Sequence, residues 1–358
     1  MRFRPSVAAR SRSPNTIDRL DSDLDEILAW ARDDIGAFAG QRLFITGGTG
    51  FVGSWFLRSI VHANARTNAR ISADVLTRDP AVFLRAVPAC ASDDRLHFIT
   101  GDVTTYRGNG ERYDAVFHAA TPASAQLNIQ DPARMLEITI EGTRRALEVA
   151  RPSGAIPFLL TSSGAVYGVQ PPDMANVDES YAGAPSMSDA GAAYHEGKRV
   201  SELLLTLAAR DGLAAKVARL FAFVGPYLPL DKHFAIGNFI RDGLSGGPIK
   251  IGGDGTPFRS YLYATDMTAW LWAIFARGAT ARPYNVGSAR AIDIASLARK
   301  VASFFSPESE VRIAREPLAG ALASRYVPEV TRIEGELNVA QRVSLDESLR
   351  RTIDWHRR

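Results

Sequence analysis

Arg42-Leu-Phe-Ile-Thr46 is an apolar run that stops at Gly47, and further glycines stand at positions 50 and 53. An apolar stretch with helical spacing, Phe51 to Asn64, begins within that glycine run. Few folds open with a strand, a glycine turn and a helix in that order. Gly47 permits a tight turn, Gly50 lets a pyrophosphate approach the backbone, and Gly53 lets the helix pack on the strand. The free N–H groups and positive dipole end of the helix then face the phosphates. This pattern predicts a dinucleotide site.

The rest of the chain repeats the theme. Apolar runs at 73–77, 97–100, 115–118, 157–161 and 214–221 alternate with helical stretches at 135–150 and 193–210. Strands alternating with helices imply right-handed crossovers and a parallel sheet covered on both faces, a Rossmann-type doubly wound α/β fold. After Phe221 the alternation weakens, which predicts a smaller C-terminal substrate lobe. The expected division is an N-terminal tail and helix over 1–36, a cofactor domain over 37–222 that the chain re-enters at about 263–287, and a substrate lobe over 223–262 and 288–358. Thr16 to Phe38 reads as one amphipathic helix, and Tyr261 to Ala276 as a strand followed by a buried helix.

The second strand ends in Leu76-Thr77-Arg78-Asp79, where such folds read the adenosine ribose. Thr77 leaves room there and Arg78 is placed to pair with a 2′-phosphate, which favours NADP over NAD. The alternative is that Arg78 stacks on adenine or is a surface charge while Asp79 helps bind NAD. Gly101-Asp102-Val103 follows the third strand, where the adenine edge is met.

Tyr194 and Lys198 lie four apart near a helix start, on one face. A free phenol, with a pKa near 10, is a poor base at neutral pH. A neighbouring ammonium stabilises its phenolate. Ser162 and Ser163 follow the fifth strand, at the carboxyl edge where open α/β sheets bind ligands. Ser163, Tyr194 and Lys198 are therefore the candidate catalytic group.

These segments carry a resemblance. Thr46-Gly-Gly-Thr-Gly-Phe-Val-Gly53, Val116-Phe-His-Ala-Ala120, Thr161-Ser-Ser-Gly-Ala-Val-Tyr-Gly168, Tyr194-His-Glu-Gly-Lys198, Gly225-Pro226 and Arg259-Ser-Tyr-Leu-Tyr-Ala are similar to the extended short-chain dehydrogenase/reductases of the NAD-dependent epimerase/dehydratase family. The resemblance runs from about Gln41 to Trp355. It implies a nucleotide-sugar substrate, with Ser163 on the sugar 4-OH, Tyr194 as base and Lys198 as its partner. It implies cofactor contacts from Gly47, Gly50, Phe51, Val52, Gly53, Arg78, Asp102, Val103, Ala119, Ala120 and Thr121, besides Tyr194 and Lys198. In the substrate lobe it points to Asn238, Arg259 and His233, with Arg259 on the diphosphate.

The departures narrow the chemistry. Where dehydratases of this family carry an Asp-Glu pair, this chain has Gly164 and Ala165, and decarboxylases carry a Glu where Ala165 stands. Neither side chain transfers a proton. Hydride transfer at C4 remains, as 4-epimerisation or as reduction of a 4-keto-6-deoxy sugar. Dehydration, decarboxylation and a catalytically silent nucleotide-binding member are the alternatives. Thr139 stands where the family has an Asn, which puts the usual proton relay in doubt.

Composition excludes other classes. Lys+Arg 42 against Asp+Glu 39 leaves a formal charge of +3, with no basic block to carry nucleic-acid binding. No apolar run reaches the ~20 residues of a membrane span. A single cysteine, Cys90, forms no internal disulfide and suits a reducing cytoplasm. No Cys-based metal site is expected, and His233 lacks partners for one. Residues 1–14 carry four arginines but no apolar h-region, so they read as a tail and not a secretory signal. Apolar positions beyond one stripe on 135–150 and 193–210 need a second partner. The resemblance makes that a two-fold homodimer, and the N-terminal helix is the alternative cover.

Overall fold

The computed structural model describes residues 20–357 apart from 123 and 233. Seven parallel strands form one sheet: β1 (Arg42–Thr46), β2 (Ser72–Thr77), β3 (Leu96–Thr100), β4 (Ala115–His118), β5 (Pro157–Ser163), β6 (Ala214–Leu220) and a last strand, Pro283–Val286. Their spatial order is Pro283–Val286, β6, β5, β4, β1, β2, β3. The order reverses between β1 and β4, the crevice where such sheets bind ligands. This is the Rossmann-type α/β fold that the alternation of apolar runs predicts.

Aromatic rings fill one face of the sheet. Phe56, from the helix Phe51–Thr67, stacks between Phe117 of β4 and Trp272 of the helix Ala264–Arg277, each 4.1 Å away between centroids. Burying one such side chain stabilises by about 1.5–3 kcal/mol. The opposite face packs Phe158 and Leu160 of β5 against Ala146, Val149 and Leu205 from two helices, Pro132–Ala150 and Ala193–Arg210. Asp131 caps the first of these by accepting from Arg134 N, and Pro132 occupies its first turn.

The N-terminal helix is broken. Asp21–Trp30 and Arg32–Gly36 are separate, divided at Ala31, and Thr16 to Arg19 lie outside the described residues, as does the expected tail over 1–14. Its apolar residues Leu24, Ile27, Leu28 and Ile35 join the cluster around Trp55, Trp270 and Phe275, on the far side of the sheet from Pro132–Ala150. Among the described residues, this segment therefore does not cover those helices.

The two central helices also sit differently from the stripes read in the sequence. Small and polar residues take many of the inward positions: Thr139, Gly142, Thr143 and Ala146 on one, Gly197 and Ser201 on the other, beside Leu205. Leu203 and Leu207 point outward, 56% and 48% exposed. The helices pack side by side through these small residues. A Cβ on Gly197 would stand 3.0 Å from Thr139 Cβ.

Candidate active site

β1 ends at the glycine turn. Gly47 has φ +70°, and a Cβ there would lie 2.4 Å from the Ala119 carbonyl carbon. One on Gly53 would lie 2.2 Å from Gly47 O. Both positions demand glycine for space, so the loop packs against the end of β4 and the helix packs against the loop. Gly50 is the N-cap of Phe51–Thr67 and supplies no side-chain acceptor, which leaves the first N–H groups open to an anion. A dinucleotide pyrophosphate fits this cradle. Phe51 and Val52 lie half-buried in the helix's first turn.

At the ribose end Thr77 Oγ1 lies 3.3 Å from Thr49 Oγ1, and Arg78 is exposed just beyond β2. Asp79 Oδ1 caps the helix Pro80–Ala86, accepting from Ala81 N and Val82 N. Asp102 Oδ1 takes hydrogen bonds from the Thr104 hydroxyl at 2.6 Å and the Thr104 N–H at 2.8 Å. These bonds hold its carboxyl below the usual range, helped by Arg134 and Arg78 nearby. Val103 packs on the Gly142 backbone.

The Tyr–Lys helix Ala193–Arg210 packs against β5 and β6. Lys198 Nζ donates to Thr161 O at 2.7 Å and to Thr121 Oγ1 at 2.9 Å. Burial pushes its ammonium down to about 7, and the negative charge of Glu202 partly opposes that. Tyr194 is held above the usual phenol range by burial, and hydrogen bonding with Ser163 pulls it partway back. The Lys198 ammonium lies 6.0 Å from the Tyr194 ring centroid. Ser163, the last residue of β5, accepts from Ala165 N at 3.1 Å. Thus Ser163, Tyr194, Lys198 and Thr121 converge at one edge, with Ala119 and Ala120 beside the glycine turn.

A further phenol joins them that sequence reasoning missed. Tyr326 OH lies 3.5 Å from Ser163 Oγ and 3.4 Å from Leu220 O, and its ring packs on Phe221 at 4.7 Å. Tyr326 pairs in register with Arg259 on a small sheet, so both occupy the face turned to Ser163. No local motif marks Tyr326, which is 163 residues from Ser163.

The residues expected in a substrate lobe divide. Arg259 Nη1 donates to Phe258 O at 2.7 Å, and Arg259 stands in register with Tyr326 on the sheet face turned to Ser163. Asn238, on the helix Ala235–Leu244, accepts from Arg241 at 3.1 Å. His233 lies outside the described residues. Thr139 spends its hydroxyl on Met135 O, and its carbonyl accepts from Thr143 and Ser201, so it offers no side-chain group to the site. Asp266 lies inside the first turn of Ala264–Arg277 and accepts from Arg342 N and Val343 N. Gly164 faces Phe221, and Ala165 is buried without a proton-transferring group.

The chain matches the family model "NAD dependent epimerase/dehydratase family" over residues 43–287. Among curated proteins it is 27% identical to UDP-glucuronic acid decarboxylase 6 of Arabidopsis thaliana, over 87% of each chain. Among solved structures it resembles UDP-glucose 4-epimerase from Thermotoga maritima, at 22% identity and TM-score 0.74 over 88% of this chain and 98% of that one. It also resembles DesIV, a dTDP-glucose 4,6-dehydratase from Streptomyces venezuelae with NAD bound, at 26% identity and TM-score 0.73 over 88% and 97%. Among the described residues no helix is long and apolar enough to cross a membrane. The glycine turn at β1, the seven-strand order and the family match over 43–287 agree: this chain belongs to the NAD dependent epimerase/dehydratase family.

Proposed function

We propose that the protein is an NAD(P)-dependent nucleotide-sugar oxidoreductase or epimerase that works by hydride transfer at sugar C4. The observation that carries this reading is the convergence of Ser163, Tyr194 and Lys198 beside the glycine cradle, with no carboxylate at positions 164 and 165. Tyr194 takes the proton of the 4-OH, or returns it to a 4-keto oxygen. Ser163 bridges that oxygen and the phenol. Lys198 holds the nicotinamide ribose and stabilises the phenolate. Bound through Gly47, Gly50 and Gly53, the nicotinamide cofactor supplies the hydride acceptor and donor. Arg259 grips the diphosphate through its guanidinium fork.

Decarboxylation is the second reading, because the curated relative named above is a decarboxylase. Against it stands the missing acid at Ala165. Arg78 favours NADP, since Asp79 spends one carboxylate oxygen on its own helix. The outward Leu203 and Leu207 favour a homodimer through the two central helices, an isologous contact that would brace the Tyr–Lys helix. A reducing cytoplasm suits the single buried thiol of Cys90. An assay of the purified protein for bound nucleotide tests the two forms of the reaction. Tightly held NAD+ favours the epimerase, and empty sites with NADPH consumption favour the reductase.

A further inference from the structure

Beneath the carboxyl edge of β5 lies a buried polar cluster that the reading above does not use. Glu202 stands one helical turn past Lys198 on the same face. Its Oε1 accepts from Ser162 Oγ at 2.5 Å. Arg219, on β6, donates to it through Nε at 3.0 Å and Nη2 at 2.7 Å. Both side chains are largely buried, at 13% and 14% exposure. Arg219 reaches in from the side of Tyr167, whose hydroxyl accepts at 2.9 Å and in turn donates to Asn285 Oδ1 at 2.7 Å.

We propose that Glu202 is a positioning residue for the Tyr194–Lys198 helix: held by Arg219 and by the Ser162 hydroxyl, its carboxylate pins that helix to the serine strand and keeps an anion facing the buried Lys198 ammonium. The inference rests on the catalytic reading of Lys198. Removing one partner from a buried charged pair leaves the other uncompensated, so such a pair fixes geometry strongly. Ser162 neighbours Ser163, which makes the bond from Ser162 a tether between the strand that carries Ser163 and the helix that carries Tyr194.

The surroundings of Lys198 make this anion matter. Its two hydrogen-bond partners, Thr121 and Thr161 O, are neutral. From β4 it meets His118, which burial drives down to about 3 and therefore keeps uncharged. From its own helix it faces Tyr194, whose ring centroid lies 6.0 Å away, and Glu202 one turn on, which is itself paired to Arg219 of β6. Glu202 is the negative group that sustains the ammonium against burial.

The chain has five lysines, Lys198, Lys216, Lys232, Lys250 and Lys300, so NMR of ε-¹³C-labelled lysine resolves each titration, with Lys198→Met assigning the signal. In Glu202→Gln the Lys198 midpoint should fall by about one pH unit, a tenfold loss of ammonium at a fixed pH above it. The alkaline limb of turnover should fall with it and recover at lower pH. Arg219 is left unpaired in that variant and adds its own repulsion, so Glu202→Gln with Arg219→Met is the second test, and it should show a smaller fall in the same direction. Ser162→Ala, which keeps the charge, should leave the midpoint in place. An unmoved Lys198 midpoint in a folded variant would overturn the proposal. So would loss of the folded state in both variants, since the pair would then serve stability alone. The NMR titration needs no substrate, so absence of turnover in the wild type would count against the proposed reaction and not against Glu202.

Discussion

Phe221 lays its ring on Gly164 so closely that a Cβ at Gly164 would stand 2.6 Å from the ring's Cζ. The place where an acidic side chain would enter the site is thus filled by an aromatic ring that also packs on Tyr326. Gly164→Ala should therefore lower stability by about 1–3 kcal/mol through overpacking, read by urea unfolding. Phe221→Leu in the same chain should return part of that loss. Full stability of Gly164→Ala alone would show that Phe221 yields freely.

How much of this was visible beforehand depends on sequence distance. The glycine turn, the strand order's local parts and the Tyr194–Lys198 pair are short-range patterns, and periodicity and spacing expose them. Tyr326 reaches Ser163 only because a C-terminal strand pairs with Phe258–Arg259, a long-range contact without a local signature. Glu202 was within reach, since it follows Lys198 at helical spacing. On the central helices an apolar stripe does not mark the inward face. Inward positions there are taken by Thr139, Gly142, Ser201 and other small residues, which allow close helix packing. The break at Ala31 carries no glycine or proline, so the amphipathic pattern runs straight through it.

Arg78 lies exposed just beyond β2, and the proposed NADP preference has it pair with the 2′-phosphate. Arg78→Ala should weaken NADP binding by about tenfold or more and NAD binding by far less, measured by calorimetric titration of both. Equal losses for the two cofactors would remove Arg78 from the ribose site.

Leu203 and Leu207 expose an apolar stripe on the Tyr–Lys helix. Light scattering at micromolar concentration should give a dimer mass, and Leu203→Glu with Leu207→Glu should give the monomer. A monomer mass from an active wild-type preparation would leave that stripe without a partner.

Asp266 is fully buried, and burial raises its carboxyl to about 6 against the pull of the Arg342 and Val343 N–H groups. The native state then holds this proton more tightly than the unfolded chain, where Asp titrates near ~4. Its contribution to stability is present below about pH 4 and is lost as pH rises through about 6. Compared with Asp266→Asn, the wild type should therefore gain about 2–3 kcal/mol between pH 7 and pH 4. A constant difference across that range would contradict the raised carboxyl.

Tyr194→Phe removes one hydroxyl and leaves the ring. Turnover should fall by a factor of about 10² or more, while cofactor affinity stays within a few-fold. Near-normal turnover in this variant would remove Tyr194 from proton transfer.

The mass of the nucleotide-sugar product tests the central claim most directly. Incubation with UDP-, dTDP-, GDP- and CDP-sugars and their 4-keto-6-deoxy forms in the presence of NADPH, followed by chromatography coupled to mass spectrometry, should give either a C4 epimer of unchanged mass at a new retention time or a 4-keto sugar that has gained two hydrogens from NADPH. Both products keep every carbon and oxygen, as a site with Gly164 and Ala165 requires. A product lighter by carbon dioxide or by water would contradict hydride transfer at C4 as the whole reaction.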